Sequence, residues 1–240
     1  MVEKLASNPE ELVLGGQERE LTVLFCDIRG FTSLSEGMDP TQLTTLLNDF
    51  LTPMTTVLLK NGATIDKYMG DAIMAFWNAP IGQDNHRELG CQSLLDMRKG
   101  LVELNMVAPK PINIGIGLNT GPCCVGNLGS HQRFSYSAIG DSVNVASRVE
   151  GQTKFYGLDN LVTEASLPNQ EAFAVIEIDS VAVVGRSEPL NIFTIIGDKA
   201  LGETAQFKAF KLEHQELISL YRIGEIDRAQ KALDRSRELA

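Results

Sequence analysis

Residues 63–77, Ala-Thr-Ile-Asp-Lys-Tyr-Met-Gly-Asp-Ala-Ile-Met-Ala-Phe-Trp, decide the fold. Ala63 to Lys67 and Asp71 to Trp77 are β-type runs, and Tyr68-Met69-Gly70 between them is a hairpin-length loop with its glycine in the turn. Working towards the N-terminus, Leu43, Leu46, Leu47, Leu51, Met54 and Leu58 recur at helical spacing after Pro40 and stop at Asn61-Gly62. Before that helix, Leu21 to Cys26 is a short apolar β-run ending in Asp27, followed by a turn at Gly30-Phe31-Thr32. Working towards the C-terminus, Asp84 to Asn105 reads as a second helix and Pro111 to Thr120 as a strand, with Cys123 to Leu128 as its hairpin partner across Gly121-Pro122. The order β-α-β-β-α-β predicts an α+β fold, a ferredoxin-like core with two helices on one face of an antiparallel sheet.

A third helix (Ser142 to Tyr156), a small β region to about Ile196 and two tail helices (about 206–222 and 225–238) follow. Residues 1–17 read as a lead-in helix broken at Gly15-Gly16, a segment coupling to something upstream. The expected division is therefore a 1–17 lead-in, an 18–197 catalytic domain and a 198–240 helical tail. The tail stretch Leu220 to Ala229 has the Tyr-Gly-Ala look of one tetratricopeptide helix pair; a single pair leaves a face bare and should pack on the core or a neighbour.

With 21 Lys plus Arg against 31 Asp plus Glu, the formal charge of −10 disfavours nucleic acid as the main partner. Cys26, Cys91, Cys123 and Cys124 show neither a C-x-x-C pair nor zinc spacing, which points to free thiols in a reducing compartment. No run approaches a membrane span and the N-terminus lacks a signal peptide, so a cytoplasmic location is expected, with any membrane attachment in another segment of a longer protein.

Asp27 ends the first strand and Asp71 follows the hairpin tip, and in a ferredoxin-like sheet these strands are neighbours. Two converging carboxylates repel unless a divalent cation lies between them, although the same positions also suit a helix N-cap and a turn residue. The backbone N–H groups of Gly30, Phe31 and Thr32, at a helix N-terminus, could cradle phosphate oxygens. Asn144 and Arg148, four apart on the third helix, share a face and suit a ribose or phosphate clamp or a solvated surface, with Val143, Ala146 and Val149 turned inward.

Three stretches, Cys26-Asp-Ile-Arg-Gly-Phe-Thr32, Asp66-Lys-Tyr-Met-Gly-Asp-Ala72 and Ile139-Gly-Asp-Ser-Val-Asn-Val-Ala-Ser-Arg148, resemble the signature segments of class III nucleotidyl cyclase catalytic domains, in the family's order and spacing. The resemblance spans Glu18 to Gly197 and is to the bacterial adenylyl cyclase type. It implies that Asp27, Asp71 and the Ile28 carbonyl ligate two Mg²⁺ or Mn²⁺ per active site. One ion would acidify the ribose 3′-hydroxyl and the other hold the triphosphate. The implied reaction is in-line attack of the 3′-oxygen on the α-phosphorus, giving a 3′,5′-cyclic nucleotide and pyrophosphate. Asn144 would orient the ribose and Arg148 stabilise charge on the α-phosphate. Arg186 falls where the family often has a cation for the terminal phosphates, and it also suits a plain surface arginine.

By the same resemblance, Lys67 and Ser137 fall at the family's two base-reading positions. An ammonium donates to adenine N1, which favours ATP; a serine hydroxyl can accept from the adenine amine or donate to guanine O6. In the family each site is shared between two chains, so a homodimer would be sufficient. The alternatives are a guanylate cyclase or a nucleotide-binding regulatory domain of low activity. A diguanylate cyclase is set aside because its GG(D/E)EF hairpin is absent.

Overall fold

The computed structural model describes residues 14–108, 110–168, 172–181 and 189–239. Its central strand, β1 (Gly15–Ile28), is buried on both faces from Leu21 onward, while Gly15 to Glu20 are exposed or only partly buried. Leu24, Cys26 and Ile28 point to one core, while Leu21, Val23 and the partly buried Phe25 point to the other, the period of two that a strand imposes.

After a short helix α1 (Phe31–Ser35), α2 (Pro40–Lys60) starts at an Asp39 capping box closed by Gln42, with Pro40 in the first turn. It ends before Gly62, whose φ of 75° suits a residue without a side chain. Strands β2 (Thr64–Met69) and β3 (Ala72–Trp77) form the hairpin, then come α3 (His86–Asn105) and β4 (Ile114–Ser130). Phe50, Met54 and Leu58 of α2 and Leu94 and Met97 of α3 bury against Leu24, Ile73 and Trp77 on one face of the sheet. The strand order is β2-β3-β1-β4 with antiparallel neighbours, the expected α+β ferredoxin-like core.

The other face is covered by β5 (Arg133–Ile139) and α4 (Asp141–Tyr156), through Ala138 and Ala146 over Val23, Phe76 and Val125. A Cβ on Gly117 would lie 2.2 Å from the Glu150 nitrogen and 2.4 Å from the Ala146 oxygen, so α4 rests directly on the β4 backbone. The sheet continues from β4 through β6 (Asn160–Thr163), β8 (Leu190–Asp198) and β7 (Phe173–Val181), with β6 parallel to β4. Helices α5 (Lys199–Glu203), α6 (Ala205–Arg222) and α7 (Ile226–Leu239) close the described chain.

Three local expectations are corrected. The hairpin across Gly121-Pro122 does not exist: β4 runs straight through and pairs with β1 from Gly15↔Asn127 to Ile28↔Ile114. Pro122 lies between the stretch of β4 paired with β6 (Ile116–Leu118) and the stretch paired with β5 (Cys124–Ser130), where a residue unable to donate is tolerated. The reversal comes after Ser130, and β5 is the true hairpin partner. Gly15-Gly16 is not a break but the start of β1, because a Cβ on the facing Gly126 would lie 2.1 Å from the Gly15 oxygen. The remainder of the expected lead-in helix lies outside the described residues. Finally, the tight turn is Gly70-Asp71, since β2 extends to Met69.

The tail packs on the core. Phe207 and Phe210 of α6 meet Ala174 and Ile176, Arg222 pairs with Glu177 at 2.6 Å, and α7 joins through Leu217, Leu220, Ala229 and Ala232. Among the described residues no helix is long and apolar enough to cross a membrane.

Candidate active site

β1 and β3 are paired with Cys26 opposite Ile73, which brings the end of β1 beside the β2–β3 turn. Asp27 and Asp71 therefore converge. The Ile28 N–H donates to Asp27 Oδ1 at 3.0 Å and to Asp71 Oδ2 at 3.2 Å. Burial, then the hydrogen bond and charge of Asp71, push the Asp27 carboxyl up to about 7. Two carboxylates sharing one N–H retain unused acceptor capacity and repel each other, a donor set that a hard divalent cation relieves. Among the described residues no group of three or more His, Cys, Asp or Glu is placed to hold a metal, so substrate phosphates, backbone or water must complete any coordination here.

Glu150 of α4 was not anticipated from the sequence. It stands near this pair: its carboxyl is pushed up by burial and by Asp71 and is held down by Arg29. Arg29 is a latch, its Nε donating to the Ile114 oxygen at 3.0 Å and its guanidinium also to the Leu158 oxygen. Beyond it Gly30 has φ 65° and caps α1 with no side-chain hydrogen bond, and a Cβ there would meet open space. The Gly30-Phe31-Thr32 backbone thus lies next to the carboxylates and is not masked by a capping side chain.

A second group forms where β5 folds back over β2. Lys67 Nζ donates to Ser137 Oγ at 3.2 Å, so the two residues read from the sequence as a base-recognition pair are in contact. Between them lies Asp66, whose side chain is fully buried. It accepts from Ser137 Oγ at 2.8 and 3.0 Å, from the Ala138 N–H at 3.0 Å and from Lys67 Nζ at 3.1 Å. Asp66 was missed because β2 carries a bulge between Ile65 and Lys67, which breaks the alternation that would set its direction. Its one signal was a carboxylate inside an apolar β-run.

Asn144 and Arg148 lie on the exposed side of α4, while Val145, Ala146 and Val149 are buried and Val143 is partly so. Arg186 lies outside the described residues. Tyr136 packs against Phe76 with ring centroids 6.3 Å apart, and Phe134 is exposed. His86 is buried, its Nδ1 2.7 Å from Thr22 Oγ1. All four cysteines are free, and Cys26, Cys91 and Cys123 are buried.

The family model for the adenylate and guanylate cyclase catalytic domain matches residues 15–197. An adenylate cyclase of Anabaena cylindrica is 39% identical over 189 residues, covering 74% of this chain and 37% of the relative. Adenylate cyclase 1 of Rhizobium meliloti is 31% identical over 205 residues, covering 79% of this chain and 31% of the relative. The chain thus spans about a third of the length of these curated relatives. Among solved structures, the adenylyl cyclase CyaB of P. aeruginosa superposes with a TM-score of 0.70 at 35% identity, covering 77% of this chain and 97% of that one. The guanylyl cyclase Cya2 gives 0.65 at 30%, covering 77% and 95%. A family-model match over residues 15–197, joined by relatives and a solved structure of the same kind, shows that the chain belongs to the class III adenylate and guanylate cyclase catalytic domain family.

Proposed function

We propose that this nucleotide cyclase domain is an adenylate cyclase, converting ATP to 3′,5′-cyclic AMP and pyrophosphate in a homodimer whose two sites are each shared between protomers. The observation that carries the reading is the contact of Lys67 Nζ with Ser137 Oγ, an ammonium where a guanine N1–H would need an acceptor. Asp27, Asp71 and the Ile28 carbonyl would hold Mg²⁺ or Mn²⁺, two per site. Those ions supply the positive charge that neutralises the triphosphate and makes the 3′-hydroxyl acidic.

The chain's own residues account for the rest. Lys67 and Ser137 hold the purine. Asn144 fixes the ribose so that its 3′-oxygen lies in line with the α-phosphorus, and Arg148 lies where charge grows on the α-phosphate. The N–H groups at Gly30, Phe31 and Thr32 donate to phosphate oxygens, with Arg186 as a further cation for them. We take residues 18–197 as the catalytic unit, 1–17 as a coupling segment to an upstream sensor or membrane domain, and 198–240 as a helical tail. The catalytic unit faces cytoplasmic ATP.

Product identification after incubation with ATP or GTP, each with Mg²⁺ and with Mn²⁺, tests this reading. Cyclic AMP that requires the metal and vanishes in Asp71→Asn is the expected result. Preferential formation of cyclic GMP would overturn the substrate, and no product from a folded, dimeric sample would overturn the enzyme.

A further inference from the structure

Serine at position 137 is chemically ambiguous: its hydroxyl can donate or accept, and the two purines differ in which they require. The structure assigns its direction. We propose that Asp66 is a specificity-determining positioning residue, which takes the Ser137 proton and thereby leaves the hydroxyl able only to accept. The inference rests on the reading of Lys67 and Ser137 as the base-recognition pair.

Every recorded partner of the buried Asp66 carboxylate is a donor: the Ser137 hydroxyl, the Ala138 N–H and the Lys67 ammonium. A carboxylate cannot donate back, so the single hydroxyl hydrogen of Ser137 is committed inward. Ser137 is itself only 3% exposed and retains lone pairs alone, one of which receives Lys67 Nζ. Asp66 also holds Lys67 beside Ser137, because Nζ lies 3.1 Å from Oδ1. Reversing the serine would leave a buried carboxylate short of a donor and aim a hydroxyl hydrogen at an ammonium, both costly in a dry site.

Base entry is then an exchange with fixed polarity. An N–H of Lys67, whose side chain is 46% exposed, moves from Ser137 Oγ to the purine N1. The lone pair it vacates accepts the purine 6-amino group. Adenine, with an acceptor at N1 and a donor at position 6, satisfies both. A 6-oxopurine presents the opposite pattern at both positions and satisfies neither. The bulge between Ile65 and Lys67 is what lets consecutive residues of β2 serve this one cluster.

The test uses 3′-deoxy-ATP and 3′-deoxy-ITP, which cannot cyclise, so calorimetric dissociation constants report base preference without turnover. The full chain should prefer the adenine analogue, and both Asp66→Asn and Ser137→Ala should reduce that preference about tenfold or more. In a Ser137→Ala background, Asp66→Asn should reduce it by less than in the unaltered chain, because the hydroxyl that Asp66 orients is already gone. Equal weakening of both analogues by Asp66→Asn, with their ratio intact, would mean a structural role and overturn the inference. A preference lost in Ser137→Ala but kept in Asp66→Asn would overturn it while sparing the base-pair reading. Absence of any adenine preference in the unaltered chain would contradict that reading itself. Should circular dichroism show Asp66→Asn unfolded, Asp66→Glu carries the test. It keeps an acceptor and should retain more preference than Ser137→Ala, and a preference no greater would overturn the proposal.

Discussion

Asp27 and Asp71 form a pair whose mutual repulsion a bound divalent cation would relieve. Their carboxylates meet at one N–H, and the Asp27 carboxyl is pushed up by burial and by its neighbour. Added Mn²⁺ should therefore raise the midpoint of thermal unfolding of the intact chain and leave Asp71→Asn unmoved, a linkage that scanning calorimetry reads directly. Asp71→Asn should also cut cyclase activity at least about a hundredfold while remaining folded. A different residue also makes stability depend on pH. His86 is buried against Thr22, and burial holds its pKa below the ordinary 6.5 despite Glu20 nearby. The unfolded chain takes up this proton more readily than the folded one, so stability is full above about pH 6.5 and falls as the pH drops through the lower folded value. Asp27, pushed up to about 7, works in the opposite direction over this range, so the His86 contribution is read as a difference: between pH 7.5 and 5.5 in urea unfolding the unaltered chain should lose more stability, or gain less, than His86→Gln. The convergence of Asp27 with Asp71, the meeting of Lys67 with Ser137 and the outward face of Asn144 and Arg148 were legible in the sequence, because each lies in a long linear motif. Asp66 was not, since its direction depends on a bulge, nor was Glu150, which reaches the site from another element.

At the level of elements, the site depends on how closely α4 can approach β4. Gly117 permits that approach, since its Cβ would collide with the helix backbone at Glu150 and Ala146. Gly117→Ala should displace α4, and with it Asn144 and Arg148. The expected result is a loss of about 1–3 kcal/mol in denaturant unfolding and a greater proportional loss of activity. Gly151, in the same helix, is the contrast: nothing lies within 4 Å of its would-be Cβ. Gly151→Ala should stabilise the chain by about 0.5–1 kcal/mol through helix propensity. The long helices were legible from periodicity, the Asp39 cap and the Asn61-Gly62 stop. Gly121-Pro122 misled because Gly-Pro is ordinarily a turn signal, and only the sheet shows that this stretch of β4 has a neighbour on one side alone. Gly15-Gly16 misled similarly: the pair begins β1 opposite Gly126, and it is the missing side chain of Gly126 that lets the two backbones approach.

For the whole molecule, the βαββαβ order fixed the central sheet, whereas the docking of the tail was left open between core and neighbour. It docks on β7, through Phe207, Phe210 and the Arg222–Glu177 pair. The larger claim is that the aspartates of one protomer work with Lys67, Ser137, Asn144 and Arg148 of another. Each protomer carries both halves, so a defect in one half should be complemented by a partner defective in the other. The decisive measurement is the cyclase activity of an equimolar mixture of Asp71→Ala and Arg148→Ala chains after subunit exchange. Each variant alone should be inactive, and the mixture should recover about a quarter of the unaltered activity, one intact site in every heterodimer. No recovery in a mixture proven to exchange subunits would contradict the shared site.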